Sequence, residues 1–326
     1  MRAFVIRRLL LVIPTVLLAS FIIFFTIRLI PGDIIDLMVA EMSGHVKIDR
    51  SVLEHELGFD APVLAQYGRW MGVWPQADGS FSGIFQGDLG DSLWRKTPVV
   101  EEVLTRWPVT LELGLLALIV AQIIALPIGV YSALRQDTWG DYIGRSFAIL
   151  CIAIPGFWLG TMVMVFPSIW WGYVPPIIYI PFTEDPIGNL KMFIIPAIVL
   201  GMAMAGVTMR MTRTMMLEVL RQDYIRTAWA KGLRERVVTL RHALKNALIP
   251  VISIIGLQMP VMLGGAVIIE QIFCLPGMGL LIVQACLRRD YTIVSGAMLF
   301  FGVAMVLINL MVDLTYGFLD PRVHYK

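Results

Sequence analysis

RMTRTMMLEVLRQDYIRTAWAKGLRERVVTLRHALKNA, residues 210–247, is a charged interlude in a chain that is otherwise strongly apolar. Nine of the 26 Lys and Arg residues fall in it (Arg210, Arg213, Arg221, Arg226, Lys231, Arg234, Arg236, Arg241 and Lys245), against Glu218, Asp223 and Glu235. Short segments rich in Lys and Arg are retained on the cytoplasmic face of a membrane, which predicts that this one lies in water on that side. It is also patterned. Ile225, Ala228, Trp229 and Leu233 recur at the spacing of one helical face that ends near Gly232. A second such face follows with Val237, Leu240, Leu244, Ala247 and Leu248. Two short amphipathic helices outside the bilayer are expected, forming a docking surface for another protein.

The flanking sequence decides what such a segment belongs to. Of 326 residues, 58% are hydrophobic and 15% charged, with a mean hydropathy of +0.77. Soluble domains run nearer about 45–50% apolar and about 25% charged, so an all-α integral membrane protein follows. A net charge of +2 offers nothing to a nucleic acid. Cys151, Cys274 and Cys286 lack metal-type spacing; Cys274 and Cys286 could bridge if both faced an oxidising compartment, but all three read first as packing residues. The start, MRAFVIRRLLLVIPTVLLASFIIFFTIRLIPGD, is basic, but its apolar run is too long for a signal peptide and no small-residue cleavage site follows. It reads as a retained first span.

Six apolar stretches, near 9–30, 106–134, 144–171, 192–214, 248–272 and 293–317, are each long enough to cross a hydrocarbon core of about 30 Å. With the N-terminus inside, sixteen Lys and Arg residues fall on the cytoplasmic side and nine on the other, mostly in the long loop 31–105. Long loops translocate largely regardless of charge, so both termini are expected in the cytoplasm. The expected organisation is a first transmembrane helix plus extracytoplasmic loop (1–105), a five-helix transmembrane domain (106–317) carrying a cytoplasmic loop at 215–247, and a tail (318–326). Pro and Gly are frequent in the spans. They serve close helix packing, or broken helices, especially within 248–272, that line a path which opens and closes.

Catalytic constellations are absent from the sequence. His45, His55, His242 and His324 are dispersed, Asp33, Asp36 and Asp313 are scattered, and neither H-E-x-x-H nor G-x-S-x-G occurs. There is no G-x-x-x-x-G-K-[ST] phosphate loop, so uphill transport would need an ion gradient or another subunit. Glu112, Glu270 and Asp313 are the acids at membrane depth, with Arg210 near an inner end. Glu112 and Asp313 suit interfacial positions. Glu270 either faces a substrate path or makes a structural hydrogen bond, and Ser253 and Gln258 on the same span are candidates for a polar wall. In G-D-L-G-D-S (87–92), Asp88 and Asp91 read first as turn-capping residues. Pro276-Gly277-Met278-Gly279 shapes either a re-entrant, scoop-like segment or a plain tight connection.

R-T-A-W-A-K-G-L (226–233) followed by R-H-A-L-K-N-A-L-I-P (241–250) resembles the cytoplasmic E-A-A-x-x-x-G signature of ABC-importer membrane subunits, in the branch that imports dipeptides, oligopeptides and nickel. Other segments agree: F-V-I-R-R-L-L-L-V-I-P-T near the start, R-L-I-P-G-D (28–33), E-L-G-F-D-A-P (56–62) with Gln66-Tyr67, G-D-L-G-D-S, C-I-A-I-P-G-F-W-L-G (151–160), E-Q-I-F-C-L-P-G-M-G-L-L (270–281) and L-D-P-R-V (319–323). Arg226 and Thr227 replace the first letters of the general signature, and the interval from Gly232 to Pro250 is longer than in sugar permeases. Both departures look typical of the peptide branch.

The resemblance implies a six-helix, type I ABC-importer permease in a prokaryotic inner membrane. It would pair with a second homologous permease, dock one or two cytoplasmic ATPases and receive solute from an extracytoplasmic binding protein. ATP and Mg would be held by the partner ATPases, with no cofactor in this chain. The coupling helix maps to about 223–233. Ile225, Ala228 and Trp229 would fill the ATPase groove, flanked by Tyr224, Thr227 and Leu233; Gly232 would permit the turn, and Arg226 and Lys231 would give rim ion pairs. Asp88, Asp91 and Trp94 would meet the binding protein. The implied cargo is a di- or oligopeptide, with nickel, glutathione or another small solute as alternatives. A self-sufficient ion-coupled carrier is the competing class.

Overall fold

The computed structural model describes residues 2–29, 54, 60–76, 79–172, 176 and 178–319. Asp33, Asp36, His45, Lys47, Arg50, His55 and His324, most of the segments 28–33, 56–62 and 319–323, and nearly all of the expected tail lie outside the described residues. What is described is helical: α1 (Arg2–Arg28), α2 (Val63–Met71), α3 (Val99–Leu134), α4 (Trp139–Ala153), α5 (Gly156–Trp171), α6 (Pro186–Leu220), α7 (Asp223–Ala230), α8 (Lys245–Phe273), α9 (Met278–Leu287) and α10 (Tyr291–Leu319). A helical turn at Glu235–Val237 and a π-helical stretch at Val238–Leu244 run straight into α8.

Five helices are long and apolar enough to cross a membrane, and six if α4 and α5 count as one span. That pair is a departure from expectation. The sequence 144–171 reads as one helix, but α4 and α5 are bent by 93°. Pro155 lacks an N–H and forces Ile154 out of the helical region, to φ −80° and ψ 122°. The second and fourth spans overshoot their expected bounds. α3 has 36 residues and α6 has 35, about 50 Å each, far more than a hydrocarbon core requires. Apolar composition marks only the part in lipid, whereas the backbone ladder continues into water.

The chain divides into two compact units. The first comprises Met1–Ile6, Pro108–Leu280 and Leu307–Lys326. Its core joins Val109, Leu113 and Ala117 of α3, Phe193 and Ala197 of α6, and Ala266, Ile269 and Phe273 of α8. α6 packs along both α8 and α4. Glycine brings α6 close to its neighbours: a Cβ on Gly201 would lie 2.5 Å from the carbonyl oxygen of Ala117 in α3, and one on Gly206 2.7 Å from that of Ala148 in α4. Small residues let membrane helices approach until backbones touch.

The second unit comprises Arg7–Trp107 and Leu281–Val306. Here α1 meets α2 through Phe24, whose ring centre lies 5.2 Å from that of Tyr67 and 5.4 Å from that of Trp70. Ser20 and Tyr67 share a hydrogen bond of 2.9 Å. The Arg28 guanidinium sits 3.8 Å above the Phe24 ring and donates to Gln66 Oε1. The pair Gln66-Tyr67 thus anchors α2 to the first span. Elsewhere α1 leaves apolar side chains such as Leu10, Ile13 and Leu18 exposed, as a helix bathed in lipid or met by a partner does.

Candidate functional site

α7 follows α6 after only Arg221 and Gln222. The Gln222 carbonyl accepts the first helical bond, from Ile225 N at 3.0 Å, and Gly232 ends the segment at φ +77°, where Leu233 N reaches back to Ala228 O at 3.4 Å. That left-handed terminus suits glycine. The amphipathic face reads correctly as a face, but it points inward. Ile225 is fully buried and Ala228 is 8% exposed; they seat on Met216 of α6, Ala133 of α3, and Val238, Ala243 and Ala247 of the following helix. Ile225 and Ala228 therefore do not fill a partner's groove, contrary to expectation: a short helix needs its own apolar face to stay folded against the chain. Tyr224, Arg226, Thr227, Trp229, Lys231, Gly232 and Leu233 remain exposed. Tyr224 Oη also accepts from Asn246 Nδ2 at 2.8 Å.

The second expected face holds in part. Ala247 is buried and Leu244 packs against the same cluster, as expected, but Val237 and Leu240 are exposed, and Val238, Thr239 and Ala243 are buried instead. The departure falls at the start of and within the π-helical stretch, where i→i+5 bonding leaves the 3.6-residue period.

One buried ion pair, which sequence reading missed, braces α6 near this helix. Arg213, counted above as a loop charge, lies within α6 and grips Asp141 of α4 with two parallel bonds, Nε to Oδ1 and a terminal nitrogen to Oδ2, both 2.7 Å. The Ser132 hydroxyl of α3 donates to the same carboxylate, and so does Asp137 N at 3.1 Å. The pattern Thr138-Trp-Gly-Asp141 signals a helix start, but nothing in sequence links it to Arg213.

The path candidates fare differently. Glu270 is fully buried and caps α9. Its carboxylate accepts from Thr110 Oγ1 (2.6 Å), Gly279 N (2.7 Å) and Leu280 N (3.1 Å), while Thr110 Oγ1 accepts from Met278 N at 2.8 Å. Pro276-Gly277-Met278-Gly279 wraps this carboxylate so closely that a Cβ on Gly277 would stand 2.4 Å from Oε1. Glu270 is thus a helix cap rather than a pore wall, since free N–H groups at a helix start favour an anion. Gln258 is half-buried between α8 and α6, donating to Met204 O at 3.3 Å and accepting from Thr208 at 3.4 Å. Ser253 donates to Ile249 O one turn back, at 3.2 Å.

In the second unit, Asp88 accepts from Ser82 Oγ and from Gly90 N (2.8 Å), which makes it a turn residue as read. Asp91 is exposed and pairs its backbone with Pro98. Trp94 is half-buried, its indole N–H donating to Arg288 O at 2.9 Å. The organising group is Asp290, another residue missed. Buried to 2% exposure, it accepts from Ser92 Oγ (2.6 Å), Leu93 N (3.3 Å) and Ile293 N (3.3 Å), so it caps α10 and clamps the loop at once. Its signal was an Asp directly before an apolar helix. All three cysteines are free, and no group of His, Cys, Asp or Glu fit to hold a metal occurs among the described residues.

With this geometry in hand, comparison with known proteins is decisive. Residues 125–325 match the family described as binding-protein-dependent transport system inner membrane component, and residues 1–114 match its N-terminal companion. The chain belongs to that family. This permease is 39% identical over 325 residues to a Brucella suis protein named for a peptide transport system permease, with all of both chains covered. It is 38% identical over 349 residues to the dipeptide transport system permease protein DppB of Escherichia coli K12, again with both chains fully covered. The crystal structure of an amino acid ABC transporter with histidines shares the fold, with a TM-score of 0.50 at 13% identity over 66% of the permease and 92% of that chain. The chain is accordingly the helical, membrane-spanning permease subunit of an importer, an inner-membrane component.

Proposed function

We propose that this permease forms half of the translocation pathway of an ATP-driven importer of di- and oligopeptides, with α7 as the handle gripped by a separate ATPase. Two relatives that match from end to end are named for peptide or dipeptide transport, which favours that cargo. The observation that carries the coupling role is the seating of α7: Ile225 and Ala228 root it in its own chain, leaving Tyr224, Arg226, Thr227, Trp229, Lys231, Gly232 and Leu233 on the free side. A rigidly seated helix with an exposed aromatic transmits force in a way that a flexible loop does not. Both termini and α7 lie in the cytoplasm on this reading, consistent with the bias of Lys and Arg. ATP and Mg²⁺ sit on the partner ATPases, a second homologous permease completes the pathway, and a binding protein delivers solute to the loop held by Asp290. Gln258 and Ser253 remain candidates for the polar wall of the path.

The test is a photo-crosslinker in place of Trp229 within the assembled importer, alongside peptide uptake into proteoliposomes. Crosslinks to the ATPase and uptake that depends on ATP on the α7 side are expected. Uptake by this chain alone, abolished by an uncoupler, would establish an ion-coupled carrier instead.

A further inference from the structure

We propose that the Arg213–Asp141 ion pair is the strut through which movement of α7 reaches the hinge at Pro155, making both residues positioning residues for coupled transport. The inference rests on the reading of α7 as the ATPase handle.

The mechanical chain is continuous within one compact unit. Ile225 of α7 is packed in the same cluster as Met216, which lies one turn beyond Arg213 on α6, so α7 and the end of α6 move as one body. Asp141 lies in the first turn of α4, whose other end is the break at Ile154–Pro155. The 15 residues of α4, about 22 Å of rigid helix, form a lever between the two points.

At Gly206, α6 meets the Ala148 carbonyl and Cys151 of α4 with no side chain of its own, a close contact without a polar partner. The ion pair adds direction. Its two parallel bonds fix angle as well as distance, and the Ser132 and Asp137 donors occupy the remaining sites on the carboxylate. Asp141 has no exposed surface and Arg213 is only 19% exposed. Burying such a pair contributes little net stability compared with apolar residues of similar size, whereas it does specify one geometry. Arg145 and Arg210 line the same small cavity as Arg213, so neutralising Asp141 removes an anion from a region where three cations gather.

The experiment uses the complete importer, with its second permease, ATPases and binding protein, in proteoliposomes where peptide uptake and ATP hydrolysis are measured together. Asp141→Asn and Arg213→Lys are expected to assemble and hydrolyse ATP, while uptake per ATP falls about tenfold, the scale of a typical coupling free energy. The exchange Asp141→Arg with Arg213→Asp should recover part of that loss. Wild-type uptake per ATP in either assembled single variant would overturn the proposal. So would failure of both variants to assemble, because the pair would then serve folding alone. Absence of ATP-driven uptake in the unaltered complex would instead remove the proposed function on which the inference stands.

Discussion

At Glu270, backbone N–H groups of Gly279 and Leu280 and the Thr110 hydroxyl meet one carboxylate, and its charge and the hydroxyl can be removed separately. Glu270→Gln keeps the shape but loses the charge on which those bonds depend. We expect it to destabilise the purified permease by about 1.5–3 kcal/mol, read as a lower melting temperature, with uptake per folded complex unchanged. Thr110→Val should cost less, and the pair should be non-additive because both act on one group. A Glu270→Gln protein of normal stability and altered peptide preference would return this carboxylate to the substrate path. The sequence made Glu270 conspicuous as an acid among apolar residues but could not say which role it had. One partner lies nine residues on, through a glycine-rich turn, and another 160 residues back. Asp141 and Arg213 were illegible for the same reason, being 72 residues apart with no local pattern to join them.

Helical elements were legible wherever one period held. α7 was read within a few residues, including its end at Gly232, because capping and apolar spacing are local. The direction of its apolar face was not legible, since a partner's groove and the chain's own core demand the same residues. This difference is testable. Ala228→Glu buries a charge against Met216 and Ala243, and should unseat α7 and lower the melting temperature. Trp229→Ala touches an exposed side chain and should change stability by no more than about 0.5 kcal/mol while weakening ATPase co-purification. Equal effects of the two substitutions on stability would show that Trp229 also belongs to the seat. In the third span a Pro was visible, yet membrane helices often tolerate Pro with a mild kink, so a bend of 93° could not be read from it.

For the whole molecule, hydropathy located the five long apolar helices and the bent sixth pair, and the family resemblance gave their purpose, whereas the division into two units was hidden. Both α3 and α10 belong partly to each unit, and no change in composition marks the boundaries at 107 and 306. Topology remains open to direct measurement. With the native cysteines replaced by serine, a cysteine at Lys231 should resist impermeant labels in intact cells, and one at Lys96 should react. The reverse pattern would invert the orientation and with it the assignment of α7 to the ATPase side.

The π-helical stretch at Val238–Leu244 has a genetic consequence. Its i→i+5 bonding accommodates one residue more than regular α-helical bonding would hold over the same length. Losing one residue there, even exposed Leu240, would let the bonding close to i→i+4 with the flanking helix faces kept, whereas the same loss inside regular α8 would swing everything on one side by roughly 100°. Single in-frame deletions across these seven positions should therefore be tolerated better than single deletions within α8.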